Sequence, residues 1–205
     1  SIFNGTLDNA SGVATLIEAA KAIARGPRPK RSIVFVAVTG EEKGLLGSRY
    51  FANHPTVPAR AIVANANTDM LTAFYPLKQV IVNGLEESDL ARDVTLAAMK
   101  NGLLAETDPE PERNSFTRSD QYSFIKLGIP SVSLKFGFTL GSPEHEAVKK
   151  FRAERYHAVG DDLTQPIDLA AVAKFNAFYV DLVREMANRP TRPRWNADSY
   201  FRPKS

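Results

Sequence analysis

"SIVFVAVTGEEKGLLGS", residues 32 to 48, runs from seven apolar, largely β-branched positions straight into two adjacent glutamates. The apolar part is too short for a buried helix, and its composition predicts a central strand over 32–38 covered on both faces. Glu41 and Glu42 then fall in the loop that leaves the strand. Neighbouring carboxylates repel and lose hydration near a core, so the pair costs free energy unless a cation or a proton compensates it.

Working outward, apolar side chains at 13, 16, 17, 20 and 23 recur at helical spacing and predict a helix over 9–25, stopped by Gly26-Pro27. "AIVANAN" (61–67) and "QVIVNG" (79–84) read as further strands, and a helix follows over 87–101 with Leu90, Val94 and Ala97 inward. After the polar, Pro-rich stretch 106–120 come a short helix in "QYSFIKLG" and a strand in "PSVSLKF". The last long helix spans 169–188, with Val172, Phe175, Tyr179, Leu182, Val183 and Met186 on one face. Strands alternating with helices imply an α/β layered domain around a mostly parallel sheet.

A chain of 205 residues with 43% hydrophobic content supports one sizeable core. We read residues 1–188 as one domain and 189–205 as an irregular, basic, Pro-rich tail whose Trp195, Tyr200 and Phe201 are packing anchors. The net charge of +3 is too mild to argue for nucleic acid, and "RGPRPKR" (25–31) reads as a solvated loop. With no cysteine there are no disulfides, thiolate nucleophiles or cysteine metal sites. No apolar run approaches the ~20 residues that span a bilayer.

Ligands of open α/β sheets collect where loops leave the carboxyl ends of strands. Glu41 and Glu42 follow one predicted strand, Asp69 in "NTDM" follows another, and Asp8 lies just before the first helix. Each has an ordinary alternative: a helix cap for Asp8 or Asn9, a surface charge for the glutamates, an Asx-turn for Asp69. Together they would repel in a partly dry cleft unless a cation sat among them. His157 in "RYHAVGDDLTQP" is the candidate neutral ligand, and imidazole with carboxylates suits Zn²⁺. If Glu42 binds metal, Glu41 is left free to take a proton from an attacking water and hand it to a leaving amine.

"NGTLDNASGVATLIEAAKA", "VTGEEKGLLGS", "NTDM" and "YHAVGDD" resemble, in order and spacing, the co-catalytic di-zinc aminopeptidases of the zinc exopeptidase superfamily, whose relatives include glutamate carboxypeptidase. The resemblance covers about residues 4–185. It implies a three-layer α/β fold, a mixed, mostly parallel sheet between helices, and removal of residues from an unblocked peptide N-terminus. It also implies a cis Asp8–Asn9 peptide, Asp8 bridging two zincs, Glu42 and His157 on one of them, Asp69 on the other, and Glu41 as general acid/base. Such relatives are often exported, which points to a periplasmic or secreted location.

Family members carry a further zinc histidine upstream of the Asp8 position, before this chain begins. The chain therefore reads as the larger C-terminal part of a catalytic domain without its first strands; the Asp8–Glu42–His157 site is expected to hold metal weakly, and the Asp69 site to be incomplete. His54 and His145 do not fall where that ligand belongs and read as surface residues. Many relatives place His where "RSDQYSF" has Gln121, so any charged role there is lost. Asp120 reads either as a partner orienting His157 or a metal-side group, or, like Ser119, as a helix cap. Asp161 and Asp162 read either as acceptors behind the ligands or as solvated loop acids. Phe136, Phe138 and Tyr156 read as core.

Two other readings share the fold: a non-catalytic binding module, as in the transferrin receptor ectodomain, and a glutaminyl cyclase with one zinc. No Gly-x-Ser-x-Gly turn supports a serine hydrolase.

Overall fold

The computed structural model describes residues 2–204. Its sheet has the strands β1 (Asn65–Thr68), β2 (Gln79–Asn83), β3 (Leu104–Glu106) and β4 (Ser131–Phe136) in the order β1-β4-β2-β3. The β1–β4 and β2–β3 pairings are parallel and β2–β4 is antiparallel, so the sheet is mixed. Six helices accompany it: α1 (Ser11–Arg25), α2 (Leu46–Asn53), α3 (Ala91–Lys100), α4 (Gln121–Ile125), α5 (Pro143–Glu154) and α6 (Leu169–Asn188).

Helix α6 lies between α1 and α3. Its Phe175, Phe178 and Leu182 meet Leu90, Val94 and Ala97 of the α3 region and Val80, Val82, Val132 and Leu134 of the sheet in one buried core. Alternation along β2 and β4 places the valines and Leu134 on this face and leaves Ile81, Asn83, Ser133 and Lys135 on the other. Helix α1 contributes Ala19 and Ile23, whereas Val13 and Ile17, part of the predicted apolar series, face outward at 40% and 50% exposure. The stripe that packs is set by α6, whose Asn176 Oδ1 accepts from Thr15 Oγ1 at 2.8 Å. A second cluster joins Ala52 of α2 to Phe124 of α4 and to Ile129.

The strand expected over 32–38 is corrected. The stretch joins no ladder among the described residues; Ile33 and Phe35 lean on the core while Val34 is 47% exposed. Apolar side chains establish which face is buried, but a strand also needs a neighbour's peptide groups, and among the described residues β1 pairs with β4 alone. The strand expected over 61–67 begins later, because Ala59–Ala61 forms a 3₁₀ turn.

Residues 189–204 pack along the body. Arg189 pairs with Asp89 and Asp93, each at 2.7 Å, and Trp195 donates from Nε1 to the Gly128 carbonyl at 2.9 Å. Phe201 meets Phe116 edge-on. Tyr200 is no anchor: it is 90% exposed, edge-on to Phe201. No helix among the described residues is long and apolar enough to cross a membrane.

Candidate metal centre

Asp8 sits in an irregular turn ahead of α1, and the Asp8–Asn9 peptide is cis. The turn is held from two sides. Asn9 Oδ1 accepts from the N–H of Gly12 at 3.0 Å, as a helix cap does, and from the N–H of Met70 at 3.2 Å, tying the start of α1 to the end of β1. The approach is close enough to require glycine at 12, where a Cβ would lie 2.6 Å from the Thr68 carbonyl oxygen. This contact sets the Asp8 and Asp69 loops side by side.

Glu41 and Glu42 occupy a single 3₁₀ turn, Glu41–Lys43, entered through Gly40 at φ 69°. The left-handed step turns the chain so that Glu42 reaches His157. His157 Nε2 lies 2.6 Å from Glu42 Oε1 and 3.1 Å from Asp8 Oδ2, and one donor atom from each of the three falls within 4.8 Å of the others. Asp8 Oδ2 is buried and accepts no hydrogen bond from any described residue. Two carboxylates and an imidazole converging on one point, with a buried acceptor left over, fit a divalent cation of zinc type. The His157 ring also stacks on Tyr156, with centroids 3.7 Å apart.

The charge crowding is visible in the acids themselves. Burial first, then the carboxylates of Asp69 and Glu42, push Asp8 up to about 7, against the opposing pull of His157. Burial, then Asp69, Glu42, Asp120 and Asp8, push Glu41 up to about 8. The Tyr156 phenol is driven up to about 12 by burial and by the same acids. Each shift is owed first to burial and then to neighbouring carboxylates that add to it.

Asp69 stands outside the trio. Its Oδ2 accepts from Ser119 Oγ at 2.7 Å, so Ser119 is not the helix cap allowed for above. Asp120 caps no N–H either; burial raises its carboxyl, the Ser48 hydroxyl opposes that, and Asp69 adds to it. Among the described residues neither Asp120 nor Asp161 hydrogen-bonds the His157 imidazole. Asp161, 2% exposed, accepts from the peptide N–H groups of Leu7 and Asp8 at 3.0 Å and from Gln165 Nε2 at 2.6 Å. It therefore fixes the backbone that carries Asp8, while Asp162 accepts from Thr164 in its own loop. Gln121 is fully buried and bonds Asn67 and the carbonyls of Ser115 and Phe116.

Three residues read differently in the sequence take part in or near this arrangement. Ser119 and Asn9 were legible only as cap residues, because their partners are distant in the chain. Tyr156 is not core but 36% exposed beside His157. Phe136 and Phe138 are core, at 1% and 6%. His54 is exposed, but His145 is not a surface residue: its side chain is 13% exposed and stacks on Phe138.

The profile of peptidase family M28 matches residues 2–183. Leupeptin-inactivating enzyme 1 of Streptomyces exfoliatus is 30% identical over 174 residues, covering 81% of this chain and 38% of that protein. Aminopeptidase YwaD of Bacillus subtilis is 30% identical over 188 residues, covering 84% of this chain and again 38% of the relative. The chain thus spans well under half the length of these relatives. Among solved structures, the LapA aminopeptidase of Legionella pneumophila superposes with a TM-score of 0.69 at 21% identity, over 91% of this chain and 48% of that one. At that identity the likeness is one of fold.

Proposed function

The chain belongs to peptidase family M28, and from that premise we propose that the protein carrying it is a zinc-dependent exopeptidase that removes residues from the N-terminus of peptides. The observation that carries the reading is the convergence of Asp8, Glu42 and His157 on one point with Glu41 next in the chain and in the same turn. In this reading Asp8, Glu42 and His157 hold metal, Asp69 serves a second ion beside Asp8, and Glu41 is the general acid/base. Zinc, when bound, polarises the scissile carbonyl and acidifies an attacking water.

The rest falls to the chain's own groups. Glu41 takes the proton from water at a carboxylate oxygen and returns it to the leaving amine, for which it needs to be free of metal and within reach of both. Asp161 keeps Asp8 in place through the backbone, and Ser119 holds one oxygen of Asp69 so that the other is free.

The test is Glu41→Gln, followed by zinc titration and hydrolysis of a leucine anilide. We expect zinc binding to be retained and turnover to fall by about 10²–10⁴-fold, the usual worth of a positioned acid/base. Unchanged turnover would remove Glu41 from its role. Zinc binding without hydrolysis of any peptide would favour a binding module. Release of ammonia from an N-terminal glutamine without peptide cleavage would favour cyclase chemistry.

A further inference from the structure

Helix α1 starts at the metal centre and ends, 15 residues or about 22 Å further on, in the basic stretch 25–31. The sequence has no acid between Glu18 and Glu41, and five cations: Lys21, Arg25, Arg28, Lys30 and Arg31. Expected to be a solvated loop, the stretch is fixed to α6 at several points. Arg184 Nη1 donates to the Pro27 carbonyl at 2.7 Å, Asn188 Oδ1 accepts from the N–H of Lys30 at 3.0 Å, and the Ala187 carbonyl accepts from the N–H of Arg31 at 3.1 Å. The Arg31 guanidinium donates in turn to the Arg189 carbonyl. Pro27 and Pro29 stiffen the backbone between these points.

The stretch borders a recess of about 150 Å³, with Ile23 and Ile33 in its apolar lining and Arg28, Lys30, Arg31 and Ser32 in its polar lining. A water's share of liquid volume is about 30 Å³, so the recess has room for several waters and hence for a tetrahedral oxyanion. No lining residue is a carboxylate. Glu18 pairs with Lys21, Asp181 with Lys100, and Asp89 and Asp93 with Arg189, whereas Arg28, Lys30 and Arg31 form no ion pair among the described residues. Glu185 of α6 is not part of the lining. The negative end of the α1 dipole is covered as well. Arg184 Nη2 lies 3.4 Å from the carbonyl oxygens of Ala22 and Ile23, and so near the turn that a Cβ on Gly26 would collide with it.

Pro29 has no N–H, and those of Lys30 and Arg31 are spent on α6, so a ligand here is held by side chains and by their charge. Three cations around a small recess match a group with more than one negative charge and several acceptor oxygens. We propose that the recess binds a phosphate group, whether free or on a lipid headgroup. Arg31, steadied by the Arg189 carbonyl, is the fixed donor; Arg28 and Lys30, both exposed, close on the phosphate from solvent, and Ser32 offers a neutral donor. Because the recess and the metal centre lie at opposite ends of α1, the protein can hold a phosphate-bearing surface or compound with its metal centre unobstructed. The site stands independently of the exopeptidase reading.

The experiment titrates inorganic phosphate into the chain by calorimetry, with and without zinc, and measures sedimentation with vesicles of phosphatidylglycerol or phosphatidylcholine. The wild type is compared with the double variant Arg28→Gln, Lys30→Gln and with Lys126→Gln, Lys150→Gln, an equal loss of charge at exposed positions outside the recess. We expect the wild type and the Lys126/Lys150 control to bind phosphate alike, zinc or no zinc, and the Arg28/Lys30 variant to bind it at least about tenfold more weakly. Sedimentation with phosphatidylglycerol alone, lost in the Arg28/Lys30 variant, assigns the phosphate to a lipid headgroup; phosphate binding without sedimentation assigns it to a soluble compound. Either result supports the site. Binding of neither phosphate nor phosphatidylglycerol, an equal loss in both double variants, or phosphate binding that needs zinc or survives the Arg28/Lys30 change overturns it. Should that double variant not fold, Arg28→Gln and Lys30→Gln are read singly, and unchanged phosphate binding in both overturns the site.

Discussion

Replacing Asp161 with Asn removes a buried charge on which two consecutive peptide N–H groups and the Gln165 amide converge. Hydrogen bonds to an ionised acceptor contribute about 1.5–3 kcal/mol each when buried, so Asp161→Asn should lower stability by about 2 kcal/mol in urea unfolding. It should also weaken zinc binding, because Asp8 is carried on the released backbone. An Asp162→Asn control, whose half-exposed carboxylate bonds Thr164 and lies 3.7 Å from Arg155, should do neither. This contrast shows what the sequence could and could not convey. The adjacent Glu41 and Glu42, Asp8 before a helix and His157 in a loop were legible because charge beside apolar sequence is locally conspicuous. That Asp161 reaches back to Leu7, and Ser119 to Asp69, was not, since nothing near those residues records a partner elsewhere in the chain.

Among the elements, α6 and α3 were readable because their buried residues repeat at the helical period and are strongly apolar. Helix α5 escaped because Val148 and Phe151 are its only buried residues, although Ser142 before Pro143 is a start signal, with Ser142 Oγ accepting from the N–H of His145. Strand β3 is three residues with little burial, below what a period-two pattern can reveal. The 32–38 stretch failed in the opposite sense, since its side chains promised a doubly covered strand and its backbone joins no ladder. The α6–tail junction yields a prediction. Arg189 and Asp93 are 6% and 3% exposed as a pair, so Arg189→Met strands the Asp93 carboxylate and should cost about 3 kcal/mol, seen as a lower thermal midpoint. The double variant Arg189→Met, Asp93→Leu should recover much of that loss.

For the molecule as a whole, the acids of the metal centre couple stability to pH. Folding raises Asp8 to about 7 and Glu41 to about 8, above the roughly 4 expected of the unfolded chain. Between about pH 4 and 8 the folded, metal-free protein therefore holds more protons than the unfolded one. The contribution of these two groups to stability falls as pH rises through that window. Zinc displaces the same protons, so its affinity should rise with pH. Melting curves with and without a chelator should therefore diverge more at pH 8 than at pH 5; parallel curves would contradict the assignment. A last consequence follows from how far apart these partners lie along the chain, Leu7 and Asp161 being 154 positions distant. A ribosome must add 149 residues after Asp8 before His157 exists to close on it. Until then a passing ion finds only loose carboxylates, so metal acquisition marks the end of folding rather than guiding its start.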